Sequence, residues 1–252
     1  MQLDKPKRPG IEDAAAGHKQ RDLLELAVGY GLILLVIWTP NPWQSLFYWS
    51  AIAWVLVVTC VSFDGWNSMG FRASGFLRSL WVVGAALLVA AVAVAFAARF
   101  HTLHQPHGAI LFIKRFWGYG IWALLQQFLL QDFFLLRLLR LAPGKVSAVV
   151  AATGLFVLAH LPNPVLTPLT LIWGFAACWL FLEYRNIYNL ALAHAIFGIC
   201  IAITVPGPVD HNMRVGLGYL TYRPNTRHHL SQRDHIVSTD AWVIAAAPIR
   251  RS

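Results

Sequence analysis

The chain has 252 residues, of which 58% are hydrophobic and only 12% are Asp, Glu, Lys or Arg, about half the charged share of an ordinary soluble domain. With a mean hydropathy of +0.56, this composition excludes an ordinary soluble or disordered chain and indicates an integral membrane protein. The formal net charge of +9 does not indicate nucleic acid, because basic flanks in such proteins orient helices and meet anionic lipid.

Residues 1–22 are polar and mixed in charge, without the apolar stretch of a cleavable signal peptide. A membrane span needs about 20 apolar residues to cross roughly 30 Å of hydrocarbon. Residues 26–63 carry no charge until the "TPNP" breaker at 39–42 is passed and none after it, so they read as two helices joined by a tight turn. Residues 79–98 form a third span, and residues 23–115 together hold these three helices and their loops.

The fourth span, residues 116–141, differs from the others because it contains Gln126, Gln127, Gln131, Asp132 and Arg137. Residues 146–182 are again free of charge, and "LPNP" at 161–164 divides them into a fifth and a sixth helix. Residues 186–209 supply a seventh, ending at "VPGP". The expected fold is therefore an all-α bundle of about seven transmembrane helices, with a four-helix unit at 116–206 and a polar, basic tail at 207–252.

An N-terminus in the cytoplasm puts Lys5, Lys7, Arg8, Arg72, Arg78, Arg140 and Lys145 on the inner side, as the positive-inside rule prefers; the basic tail pulls the other way. Cys60, Cys178 and Cys200 lie inside predicted spans with no CxxC pair, which indicates neither a disulfide framework nor a zinc site. The histidines of "HTLHQPH" at 101–107 are irregularly spaced in a loop, and no metal or cofactor is expected. HExxH, GxSxG and P-loop patterns are missing.

Polar side chains inside a membrane are costly and mark function by default. At 100° per residue, Gln126, Gln127 and Gln131 fall near about 0°, 100° and 140° on the fourth helix and Asp132 near about 240°, so the amides share a face and the acid turns away, toward Arg137 or Arg140. Amides on one face also serve as interhelical glue. His160 closes the fifth helix in "FVLAH" and His194 sits within the seventh in "NIYNLALAHAIFG". Two intramembrane histidines beside an amide face indicate one shared cavity.

The order "WALLQQFLLQDFF", "FVLAH", "NIYNLALAHAIFG" resembles the EExxxR, FxxxH and HxxxN motifs of the CPBP family, the CAAX prenyl endopeptidases and bacteriocin-processing or Abi proteins, which are glutamic intramembrane proteases. Gln127 to His160 is 33 positions and His160 to His194 is 34, each on its own predicted helix. The resemblance implies a multi-pass protein of a prokaryotic cytoplasmic membrane, with a buried cavity where a glutamate activates water against a peptide carbonyl while histidines and an asparagine orient the groups and hold the oxyanion. Carried across, it makes His160, His194, Gln126 and Gln127 the catalytic positions, with Gln131 at the arginine, Phe156 in the second motif and Gly198 at the asparagine, these last three lining the cavity.

The departures are chemical. A primary amide holds water by hydrogen bonds but accepts no proton near neutral pH, so neither Gln126 nor Gln127 replaces a glutamate base. The arginine position is neutral too, which removes charge from the site as a set and spares the bundle an unpaired intramembrane cation. His160 is the first candidate for a substitute base. Two readings stay open: an endopeptidase with an altered catalytic set acting on a membrane-embedded or lipidated peptide, or a noncatalytic member that holds such a peptide or a lipid.

Overall fold

The computed structural model describes residues 9–63, 65–72, 75–104 and 108–223. The first eight residues, positions 105–107 of the histidine run and positions 224–252 of the basic tail lie outside the described residues. Helices α1 (Pro9–Trp38), α2 (Trp43–Val61), α3 (Phe76–Arg99), α4 (Ala109–Phe128), α5 (Leu136–Leu141), α6 (Lys145–Leu158), α7 (Leu166–Tyr184) and α8 (Ile187–Thr204) are followed by the short turns α9 (Gly207–Asp210) and α10 (Gly216–Leu220). Among the described residues there is no strand. A π-helical segment, Leu129–Leu135, joins α4 to α5, so Ala109–Leu141 is one continuous rod of 33 residues.

Among the described residues, five helices are long and apolar enough to cross a membrane: α2, α3, the α4 to α5 rod, α7 and α8. This is fewer than the seven spans expected from charge-free stretches. α6 has 14 residues, about 21 Å at 1.5 Å per residue, and α1 carries Arg21, Asp22 and Glu25 around the point where its apolar run begins. The large side chains that face outward, among them Trp49, Leu77, Leu88, Trp117 and Ile172, are those a hydrocarbon surround accepts without cost.

The breakers act where the sequence places them. Between α1 and α2 the Thr39 hydroxyl donates to Leu35 O, and Gln44 Nε2 donates to Val36 O. Between α6 and α7, Asn163 Oδ1 accepts from the backbone amides of Val165 and Leu166 and so opens α7, while its Nδ2 donates to Asp210 O and Arg214 O. One asparagine thus fixes both the turn after His160 and the chain that follows α8.

α8 is the centre of the bundle. It packs against α3 and α4, while α6 packs on α7 and α1 on α2. Asn186 caps it by accepting from Asn189 N, and Asn189 Nδ2 donates to Phe76 O and Ser79 Oγ, pinning α8 to the start of α3. Gly75, at φ +90°, comes so close to Tyr184 O that a Cβ would stand 2.7 Å from it. Only glycine satisfies both the left-handed backbone and that approach.

The ion pairs correct the reading of Asp132. Arg137 Nε donates to Glu25 Oε2 at 2.8 Å, and Arg140 makes a bidentate pair with Asp22 at 2.6 and 2.7 Å. The one hydrogen bond between Asp132 and Arg137 among the described residues is to the Asp132 backbone oxygen, and both carboxylate oxygens are buried without a hydrogen-bond partner. The acids of α1, far off in sequence, satisfy the two arginines because α1 lies along α5.

Candidate active site

The site is assembled from three helices. α4 and the π segment supply the amides, the end of α6 supplies Phe156 and His160, and α8 supplies His194 and Gly198. Gln127 and Gln131 are fully buried and His194 is nearly so. Gln131 Nε2 donates to Gln127 Oε1 at 3.1 Å, and Gln127 Nε2 reaches His194 Nδ1 at 3.0 Å.

This chain of bonds sets a tautomer. With Gln127 Oε1 already accepting, its NH2 group faces His194 and donates, so Nδ1 is the acceptor and the His194 proton sits on Nε2. His160 is set the opposite way. Its Nδ1 lies 2.6 Å from Phe156 O, and because a carbonyl only accepts, Nδ1 holds the proton and Nε2 keeps its lone pair.

The Phe156 ring contacts both imidazoles, 4.6 Å from His160 and 6.0 Å from His194 between centroids, and nearly perpendicular to the latter. Gly174 lets this happen, since a Cβ there would stand 3.1 Å from the Phe156 ring. We expect 15N NMR of histidine-labelled protein to report His160 protonated at Nδ1 and His194 at Nε2 in their neutral forms. A His194 proton on Nδ1 would mean that the amide chain runs in the other sense.

Both histidines line a cavity of about 1060 Å3 together with Gln126, Phe156 and Gly198. Its remaining wall is largely aliphatic and aromatic, including Ile33, Val55, Val82, Val89 and Phe134. Gln127, which meets His194, and Gln131, which donates to Gln127, are not on that wall. The shared amide face therefore divides, with Gln126 open to the cavity and the other two serving His194. The π segment contributes to this division, since its wider turn departs from the 100° spacing from position 129 onward.

Sequence reasoning passed over three lining residues. Tyr119 lies on α4, Trp173 on α7 and Asp210 on α9. Trp173 Nε1 is buried with no hydrogen-bond partner and its ring is 6.3 Å from His194. Asp210, whose Oδ1 accepts from Asn212 N, is the one carboxylate lining this cavity among the described residues. Burial raises its carboxyl above the ordinary value, opposed by backbone amides that include Met213 and Asn212. Tyr119 was findable, being seven residues before Gln126 and so on the same helical face; Asp210 carried no signal.

The cavity can hold an apolar chain and present a nitrogen lone pair at the half-buried His160 and a donor at the buried His194. Among the described residues no three His, Cys, Asp or Glu side chains come together in the manner of a metal site. Residues 121–200, which contain both histidines and all three glutamines, match the family described as type II CAAX prenyl endopeptidase Rce1-like. No curated protein and no solved structure gave a match to the chain.

Proposed function

We propose, from its place in the Rce1-like CAAX endopeptidase family over residues 121–200, that this integral membrane protein cuts peptide bonds in a membrane-associated, lipidated substrate with His160 as the base. The observation that supports this most is the pair of opposite tautomers: a free lone pair on His160 and a donor on His194 along one cavity wall. We place the N-terminus in the cytoplasm, on the strength of the basic flanks, and the chain in a prokaryotic cytoplasmic membrane.

In the reaction, the lipid lies along the apolar wall and brings the scissile carbonyl to the histidines. His160 Nε2 takes a proton from water as the water oxygen bonds to the carbonyl carbon. The carbonyl π pair moves onto its oxygen, which accepts a hydrogen bond from His194 Nε2–H. Collapse of the tetrahedral intermediate breaks the C–N bond, and the imidazolium of His160 gives its proton to the departing amine. An acid and an amine leave, and His160 returns neutral. Gln126 accepts or donates to the water without exchanging a proton.

The test is direct. Purified protein in detergent micelles is given a peptide ending in a farnesylated cysteine and three further residues, and release of the C-terminal tripeptide is followed by mass spectrometry. Release, lost in His160→Ala, supports the endopeptidase. Retention of the intact peptide by a protein that never cuts it supports the second reading, a noncatalytic holder, which the amides at Gln126 and Gln127 favour.

A further inference from the structure

The cavity lies toward one end of the bundle. α1 and α6 line it with their last turns and α8 from His194 onward, while the chain between α3 and α4 adds His104 and the chain after α8 adds Asp210 and Asn212. Backbone hydrogen bonds tie these segments together, from His104 N to Ile203 O and from Gly216 N to Leu161 O. His104 and Asn212 are exposed, which makes this end the mouth. The basic residues of the other end, Arg72, Arg140, Lys145 and Arg185, are not on the lining.

Arg115 is the one lysine or arginine on this lining among the described residues. It begins a stripe on α4. Arg115, Tyr119, Trp122 and Gln126 recur at helical spacing and so share a face, and all four line the cavity. Midway, Tyr119 fills the space that Gly198 leaves open on α8. Arg115 itself is exposed, its guanidinium 5.9 Å from the centre of the Phe116 ring. Among the described residues no ion pair joins it to a carboxylate. Asp210, the lining acid, is buried and accepts from Asn212 N.

An arginine with no acidic partner at the rim of a mostly apolar cavity selects a carboxylate, because its planar fork of N–H groups matches the two oxygens. We propose that Arg115 binds the C-terminal carboxylate of the substrate peptide, so that the chain beyond the cleaved bond runs along the α4 stripe from Gln126 to the mouth. This assignment rests on the reading above, which places the scissile carbonyl beside the histidines. Arg115 and Gln126 are 11 positions apart, about 16 Å at 1.5 Å per residue, a length that about five extended residues cover.

Binding is measured without turnover, on the full chain carrying His160→Ala in neutral detergent. The probes are two dye-labelled peptides with about five residues after a farnesylated cysteine, one ending in a carboxylate and one in a carboxamide, followed by fluorescence anisotropy. The carboxylate form should bind about tenfold more tightly, and added salt should erode that ratio. Arg115→Gln should bring it close to one, and Arg115→Lys should keep part of it. With His160 restored, the same ratio should appear in KM and not in kcat. Equal binding of the two peptides, or a tenfold ratio that survives Arg115→Gln, overturns the assignment. A ratio erased by adding phosphatidylglycerol to the micelles overturns it too, in favour of a lipid phosphate. The expected ratio in a protein that cuts neither peptide upholds the carboxylate site and overturns the hydrolytic reading.

Discussion

His160→Ala is expected to reduce turnover by about 10²- to 10⁴-fold, the range over which a positioned general acid and base acts. The size follows from the absence of a substitute at the same place. Gln126 and Gln127 are amides, and Asp210, the one lining carboxylate among the described residues, has an oxygen committed to Asn212 N. Removing the ring leaves the Phe156 carbonyl without its partner at the end of α6, so the variant is to be compared with wild type for assembly by size-exclusion chromatography. In native membranes, a mass-spectrometric survey of protein termini in wild type, a deletion strain and His160→Ala should find one set of termini missing from both altered strains. Identical termini in all three would sink the proposed chemistry and leave a holder of membrane peptides.

The second large effect falls on stability. Glu25 takes Arg21 Nε on one oxygen and Arg137 Nε on the other, at 2.7 and 2.8 Å, and both Glu25 and Arg137 are buried. Glu25→Ala removes the carboxylate that is hydrogen-bonded to the Arg137 guanidinium and leaves it its hydrogen bonds to the carbonyls of Asp132 and Phe133 and the Phe133 ring at 4.4 Å. An uncompensated buried charge of this kind costs about 3 to 5 kcal/mol. The thermal midpoint in detergent should drop markedly. Adding Arg137→Met, which removes the stranded charge and retains volume, should restore most of it, and a double variant as unstable as Glu25→Ala would refute the assignment.

The contrast between these two predictions shows what a linear reading reaches. The motif "FVLAH" places Phe156 and His160 one turn apart, close enough for the carbonyl and ring of one residue to fix the other, and that is local information. The pairing of Arg137 is not local. Glu25 is 112 positions away, and nothing in the α5 segment distinguishes it as partner from Asp132, five residues before Arg137. Arg137 takes Glu25 because α1 runs beside α5, while both Asp132 carboxylate oxygens are buried without a hydrogen-bond partner.

The glutamines show the same limit at closer range. A uniform 100° turn puts Gln126, Gln127 and Gln131 on one face, yet the bundle makes Gln127 and Gln131 the support of His194 and leaves Gln126 to the cavity. Burial decides this, since a face of a helix that meets another helix cannot also meet a cavity.

By itself the sequence determined a helical membrane protein, its breakers at "TPNP" and "LPNP", the neutral character of the amide set and the order of the two histidines, because hydropathy, proline chemistry and side-chain protonation act over a few residues at a time. Tertiary structure alone decided which helices are long enough to span, which acids neutralise Arg137 and Arg140, which histidine nitrogen carries the proton at His194, and that Tyr119 fills the space above Gly198. Each of these depends on the distance between groups on different helices, which is set only when the bundle packs.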